Sequence, residues 1–230
     1  MDTDRSRDRV VFLGAHPDDL ASEMGTALIM ARKFNVHVID YTHGERGCGE
    51  EKFRNGWTKA TRTREETEVC ASIPATLHWL DEVDGEAYAS REPVAALAAL
   101  MKDIAPRAVI MHWPIDEHLD HVMTFAAGMK AIQLAGIAPE VYFHFQQAQA
   151  RNFKPFVYVD VTPILEEKTR LISLYECQDG STIAKNKATA QAVLGAAAGR
   201  IRSYLEPYAF MSGTATPSHC IFSEIDEAVF

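Results

Sequence analysis

Val10-Val11-Phe12-Leu13-Gly14-Ala15-His16-Pro17-Asp18-Asp19 is an apolar, partly β-branched run that ends on Gly-Ala and passes directly into a polar turn. A short apolar run bounded by turn residues reads as a buried strand. From Leu20 to Phe34, residues Met24, Ala27, Leu28, Met30, Ala31 and Phe34 fall at helical spacing, with Asp18 or Asp19 at the helix start. Val36 to Tyr41 (VHVIDY) is a second strand. Strand, helix and strand in this order make a βαβ unit with parallel strands and a right-handed crossover.

The alternation continues along the chain. A polar, Gly-rich loop after Tyr41 leads to a helix over about Thr61 to Ser72, then a strand at Thr76 to Leu80 and a loop from Asp81 to Arg91. Pro93 opens a helix to about Asp103, since proline suits a first turn. Ala108 to His112 is a buried strand, followed by a loop from Trp113 to Leu119 and a helix through about Leu134. Val141 to Phe145 and Phe156 to Val161 are later strands, with a helix from about Pro163 to Glu176. Lys185 to Leu205 is Ala-rich and reads as helical. This pattern predicts an α/β three-layer sandwich around a mostly parallel, Rossmann-like sheet. Without a linker-like stretch or internal repeat, residues 1–230 read as one domain, with 1–8 as a disordered lead-in.

Composition narrows the function classes. Lys and Arg number 23 against 32 Asp and Glu, a net charge of −9, and no basic stripe accumulates. That disfavours nucleic acid and anionic membranes, where phosphate contacts dominate affinity. No run approaches the ~18 apolar residues a bilayer span requires, and the N-terminus lacks a secretory apolar core. Cys48, Cys70, Cys177 and Cys220 are widely spaced, so a reduced, cytoplasmic protein is expected. The expected partner is a small molecule, and a homo-oligomer is compatible with the sequence.

His16 and Asp19 stand three apart on the turn leaving the first strand, and His118-Leu119-Asp120-His121 follows the strand at Ala108 to His112. Ligands of open α/β sheets bind outside the carboxyl ends of strands, where the strand order reverses. Adjacent parallel strands would bring the two turns together there. His16, Asp19 and His121 would then be three N/O ligands with one position left for water, the make-up of a catalytic zinc site. Asp18 would stand where that water needs a general base, and His118 where an acid or oxyanion donor is needed. Each piece also has a plainer reading. Pro17 fixes a turn and an aspartate can cap a helix, while His118 and His121 alone could be solvated. His112 reads as core rather than ligand, and Asp116 as either a turn residue or a support to the site.

At these residues the chain resembles the PIG-L/LmbE-type deacetylases, zinc enzymes that remove an acyl group from N-acetylglucosaminyl substrates. The resemblance covers most of the chain and rests on AHPDD at Ala15 to Asp19 and H-x-D-H at His118 to His121. It implies one zinc ion per chain held by His16, Asp19 and His121, with Asp18 as general base. It implies that His118 stabilises the oxyanion or protonates the leaving amine, with Asp120 orienting it. THGERG at Thr42 to Gly47 is similar to the family's loop beside the sugar, and Arg62 and Glu65 to its R-x-x-E. Glu45, Arg46 and Arg62 are therefore expected at the substrate or, on an equally weighted plainer reading, in a solvated loop and a structural ion pair. FVYVDVTPILEEKTRLISLYECQ is similar to the family's late segment, most like short members acting in low-molecular-weight thiol biosynthesis. Leu20, Met24 and Leu119 depart from the family pattern.

Three rival functions meet the same residues. A dinucleotide-binding oxidoreductase needs a Gly-rich first turn, and two aspartates there would repel a phosphate. A non-catalytic metal- or sugar-binding protein would leave Asp18 and His118 without a task. A zinc hydrolase of another amide or ester stays open, since fold does not fix substrate.

Overall fold

The computed structural model describes residues 7–146, 150–211, 216 and 218–230. Its centre is a parallel block. β1 (Arg9–Gly14) lies between β2 (Asn35–Thr42) and β4 (Ala108–His112), with β3 (Thr76–Glu82) outside β2 and β5 (Glu140–His144) outside β4. Beyond β5 the direction changes: β7 (Leu205–Phe210), β6 (Val157–Asp160) and β8 (Ala228–Val229) complete an eight-stranded sheet by antiparallel pairing. Among the described residues, seven α-helices flank it: α1 (Met24–Ala31), α2 (Glu50–Arg54), α3 (Trp57–Ser72), α4 (Arg91–Ile104), α5 (Leu119–Ala135), α6 (Leu165–Ile172) and α7 (Gly180–Ala197). The α/β sandwich expected from the alternation is the observed architecture.

Strand geometry explains the two-sided core. Side chains alternate across a strand, so Val10 and Phe12 pack with Val36, Val38 and Ile110 on one face. Val11 and Leu13 pack with Ile39, Val109 and Met111 on the other. A strand buried on both faces needs a continuous apolar run, which is what Val10 to Leu13 supplies. α4 carries its apolar residues on one stripe, burying Val94, Leu97, Met101 and Ile104.

Several boundaries differ from the sequence reading. The helix expected from Leu20 opens as a 3₁₀ turn at Asp19–Ser22, and α1 begins only at Met24. α3 starts at Trp57 rather than Thr61, and α2 occupies part of the expected loop. The helix expected to reach Leu205 ends at Ala197, and β7 follows. Gly199 takes φ 75° just after it, a left-handed helix stop. Of the expected lead-in, residues 1–6 lie outside the described residues. Asp8 is tied down by Arg107 at 2.7 Å and by Asn35 N–H at 2.9 Å.

The start of α1 shows how the late strands support the early ones. A helix N-terminus leaves backbone N–H groups without partners. Here Glu206 of β7, wholly buried, accepts from Gly25 N at 3.0 Å, Thr26 N at 2.8 Å and Thr26 Oγ1 at 2.6 Å. Lys168 of α6, also buried, balances its charge at 2.6 Å. Residue 25 must be glycine, since a Cβ there would sit 2.4 Å from Val161 Cγ1. Removing one member of a buried ion pair strands the other, at about 3–5 kcal/mol. Glu206→Ala should destabilise the fold by that order in urea titration. Glu206→Leu combined with Lys168→Met should recover part of the loss.

Candidate active site

Strand order reverses between β1 and β4, so the turns after these strands open at one place. Asp19 lies at the centre. Its Oδ2 accepts the N–H groups of Ala15 and His16, both at 2.9 Å, and lies 3.0 Å from His112 Nε2. Its Oδ1 accepts from Gln146 Nε2 at 2.8 Å and lies 3.4 Å from His121 Nε2. His16 Nδ1 is 3.6 Å from Oδ2. The far nitrogens face other carboxylates. His16 Nε2 is 3.2 Å from Asp120 and 3.3 Å from Asp84, and His121 Nδ1 is 3.2 Å from Asp116. Carboxylates set behind imidazoles in this way orient metal-binding histidines and raise their basicity.

The structure brings His16, Asp19, His118 and His121 together. Nitrogens of His16, His118 and His121 lie within 4.8 Å of one another, as do ligand atoms of Asp19, His112 and His121. His118 stacks on His121 at 4.6 Å, and its Nδ1 is buried without a partner. Converging imidazoles and a carboxylate, with a buried ring nitrogen left unpaired, fit a divalent cation that accepts N and O donors.

Asp18 and Asp19 are held quite differently. Asp18 has φ 85°, a left-handed conformation that costs strain outside glycine. Arg62 of α3 braces it, donating to Asp18 Oδ1, to Pro17 O and, at 2.9 Å, to Gly44 O. The expectation that Arg62 grips the substrate is corrected in part: Arg62 lines the cleft, but three of its N–H groups donate to the protein and the residue is 4% exposed. Glu45 is buried and does not line the cleft. Arg46 does line it, half-exposed and paired with Glu86 at 2.5 Å. Asp120 is corrected as well. It accepts from Gly85 N at 2.7 Å and faces His16, and so supports His16 rather than His118.

The cleft, about 400 Å³, is lined by His16, Asp18, Asp19, His118 and His121 at its base, with Arg46 and Gln178 among its other walls. Burial alone would discharge His16, but Asp120, Asp19 and Asp84 overturn it and push its pKa well up. Burial would likewise raise Asp19, yet the neighbouring His121 and His112 hold it well below the usual carboxylate range. Asp18 moves the other way, raised by burial despite Arg62. His118 is pushed down by burial and by His16 and His121, which disfavours its cationic form.

The structure also brings to the site residues that the sequence pattern places in the core or leaves without a signal. His112, expected as core, is indeed fully buried but touches Asp19 and stacks on His121 at 4.0 Å. His144 faces it at 4.6 Å, and neither of its nitrogens has a partner. Both histidines end neighbouring parallel strands in register, a signal that was available. Asp84 and Gln146 sit in loops and gave none. His43 is held away from the ion site, bonding Thr63 and Asp81, both at 2.7 Å.

A family model described as PIG-L, GlcNAc-PI de-N-acetylase, matches residues 11–132, more than half of the chain. The chain belongs to the PIG-L family. It is 26% identical over 192 residues to the diacetylchitobiose deacetylase of Thermococcus kodakarensis, covering 74% of this chain and 70% of that relative. Among solved structures it is similar to GalB, the 4-carboxy-2-hydroxymuconate hydratase of Pseudomonas putida KT2440. That match has a TM-score of 0.77 at 18% identity, over 91% of this chain and 98% of that one. It is also similar to the N,N'-diacetylchitobiose deacetylase of Pyrococcus horikoshii, with a TM-score of 0.76 at 21% identity, over 90% and 85%. At such identities the structural likeness shows a shared PIG-L fold.

Two stability predictions arise from the groups behind Asp18. Arg62→Ala should cost about 1–3 kcal/mol in urea unfolding, because it leaves the partly buried Asp18 and the carbonyl oxygens of Pro17 and Gly44 without their donor. Arg62→Lys should recover little, since a single ammonium cannot reach the acceptors that the planar fork spans. Glu66, fully buried, has its pKa raised by burial from the ordinary 4.5 to about 7. The folded state holds this proton more tightly than the unfolded one. Its contribution is therefore full below pH 4.5 and is lost as pH rises through 7. Glu66→Gln should flatten that decline when urea midpoints are compared at pH 5 and pH 8.

Proposed function

We propose that this chain is a metal-dependent N-deacetylase acting on an N-acetylglucosaminyl conjugate, with zinc as the metal. The observation that carries the reading is the convergence of His16, Asp19 and His121 beside an Asp18 that no ligand role occupies. Family membership and the named activity of the Thermococcus relative support the substrate class. His16, Asp19 and His121 would hold the ion, which would polarise the substrate carbonyl and lower the pKa of water at the site.

The residues then divide the work. Asp18, raised by burial and braced by Arg62, is the general base: it takes a proton from the attacking water. As the C–N bond breaks, Asp18 returns that proton to the amine nitrogen, leaving acetate and a free amino sugar. His118 as neutral imidazole still carries one N–H, and it donates this to the developing oxyanion. Asp120 and Asp84 hold His16 from behind, and Asp116 holds His121. Arg46 on the cleft wall is the group available to an acidic aglycone, such as an intermediate of thiol biosynthesis carries.

Fold does not fix the bond that is broken, and a hydratase shares this architecture. Zinc content should therefore be measured alongside acetate release from N-acetyl sugars, non-sugar N-acetyl compounds and simple esters. The expected result is one zinc per chain and turnover confined to the sugars. Equal rates on non-sugar amides would sink the sugar assignment. His121→Ala should lose the metal. Asp18→Asn should keep it but lose turnover by about 10²–10⁴-fold, the worth of a positioned base, whereas Asp19→Asn should weaken the metal itself. Equal metal content and equal rates in the two asparagine variants would overturn this division of roles.

A further inference from the structure

α7 (Gly180–Ala197) lies outside the segment matched by the family model, yet it sends a cation into the site. Lys187 Nζ donates to Gln146 Oε1 at 2.8 Å and to Ser22 Oγ at 2.5 Å. Ser22 Oγ in turn donates to Gln146 Oε1. Gln146 Nε2 donates to Asp19 Oδ1 at 2.8 Å.

Chemistry fixes the direction of this chain of bonds. An ammonium only donates and a carboxylate only accepts. The amide between them must therefore turn its oxygen to Lys187 and its NH₂ to Asp19. The flipped amide would set NH₂ against the ammonium and oxygen against the carboxylate. Lys187 and Ser22 thus lock an orientation that Gln146 alone could exchange.

We propose that Lys187 is a positioning residue of the metal site, acting through Gln146. By locking the amide it pins Asp19 Oδ1 and fixes the direction in which this carboxylate presents its remaining lone pairs to the cation. Asp19 is already held on its other oxygen by Ala15 N and His16 N. Gln146 is the side-chain amide that holds it from across the sheet. The inference rests on the metal reading given above, but the experiment separates the two.

Lys187→Met keeps the length of the side chain and removes its charge, and Gln146→Leu removes the amide. Zinc affinity of each variant and of the double variant is measured by competition with a chromophoric chelator, alongside kcat, KM and the urea midpoint. Loss of a group supporting a metal ligand weakens metal binding by about 10–100-fold. That loss is expected for either single variant, with kcat reduced and KM little changed. The double variant should be no worse than the poorer single one, since residues in one chain of bonds are not additive. Lys187→Arg should restore part of the affinity. Wild-type zinc affinity in Lys187→Met, even with a lowered urea midpoint, would make Lys187 merely structural and overturn the proposal. Additive losses in the double variant would also overturn it. Should Lys187→Met fail to fold, undiminished zinc affinity in Gln146→Leu would overturn it alone. Failure of the wild-type protein to bind zinc would instead overturn the metal reading, and this inference with it.

Discussion

Everything at the site is arranged around one buried anion. Asp19 is 4% exposed, and a carboxylate so far from water must have its lone pairs satisfied. The partners come from the turn after β1, the end of β4, the first turns of α5 and the loop after β5. Each of these elements is packed for its own apolar reasons, but their mutual positions are set where the polar groups must meet. The histidines supply much of the compensating field, and this is why Asp19 stays ionised while its neighbour Asp18 is raised by the same burial. Two adjacent aspartates thus acquire opposite tendencies from their surroundings, which lets one serve as a ligand and the other as a base.

The parallel half of the sheet was legible because its physics is local. Val10 to Leu13 and Ala108 to Met111 are apolar without interruption, as doubly buried strands must be, and the turns that follow them carry the chemistry. The antiparallel half was less legible. β7 contains Pro207, which cannot donate to a ladder and argues against a central strand, and the Ala-rich segment before it masks the helix stop at Gly199. Its strand identity depends on β5 and β6, which pair with it on either side.

The candidate site divides along the same line. His16, Asp18, Asp19, His118 and His121 were readable because they sit in two short stretches with ligand spacing. Asp120 was readable as a site residue, but its partner was not. Whether it faces His16 or His118 depends on how α5 docks against the loop carrying Gly85. Arg62 was placed at the cleft, but its ties to the protein were not legible, for a related reason. A guanidinium on a helix near a cleft looks available until Pro17, Asp18 and Gly44 are found around it.

The bond pattern at the start of α1 also has a bearing on how the chain acquires its structure. The backbone N–H groups of Gly25 and Thr26 are satisfied by a carboxylate 181 and 180 residues further along the chain. On a ribosome, the first βαβ unit would leave the exit tunnel long before Glu206 is made. Closing such a large loop carries an entropy cost that nearby contacts do not, and non-local pairings form slowly. The opening of α1, and the 3₁₀ turn just before it that carries Asp19, would then reach their final form only once β7 has been made and has docked. Assembly of the active centre would be among the last events of folding, and a chain truncated before β7 would lack a competent one even with every proposed ligand present.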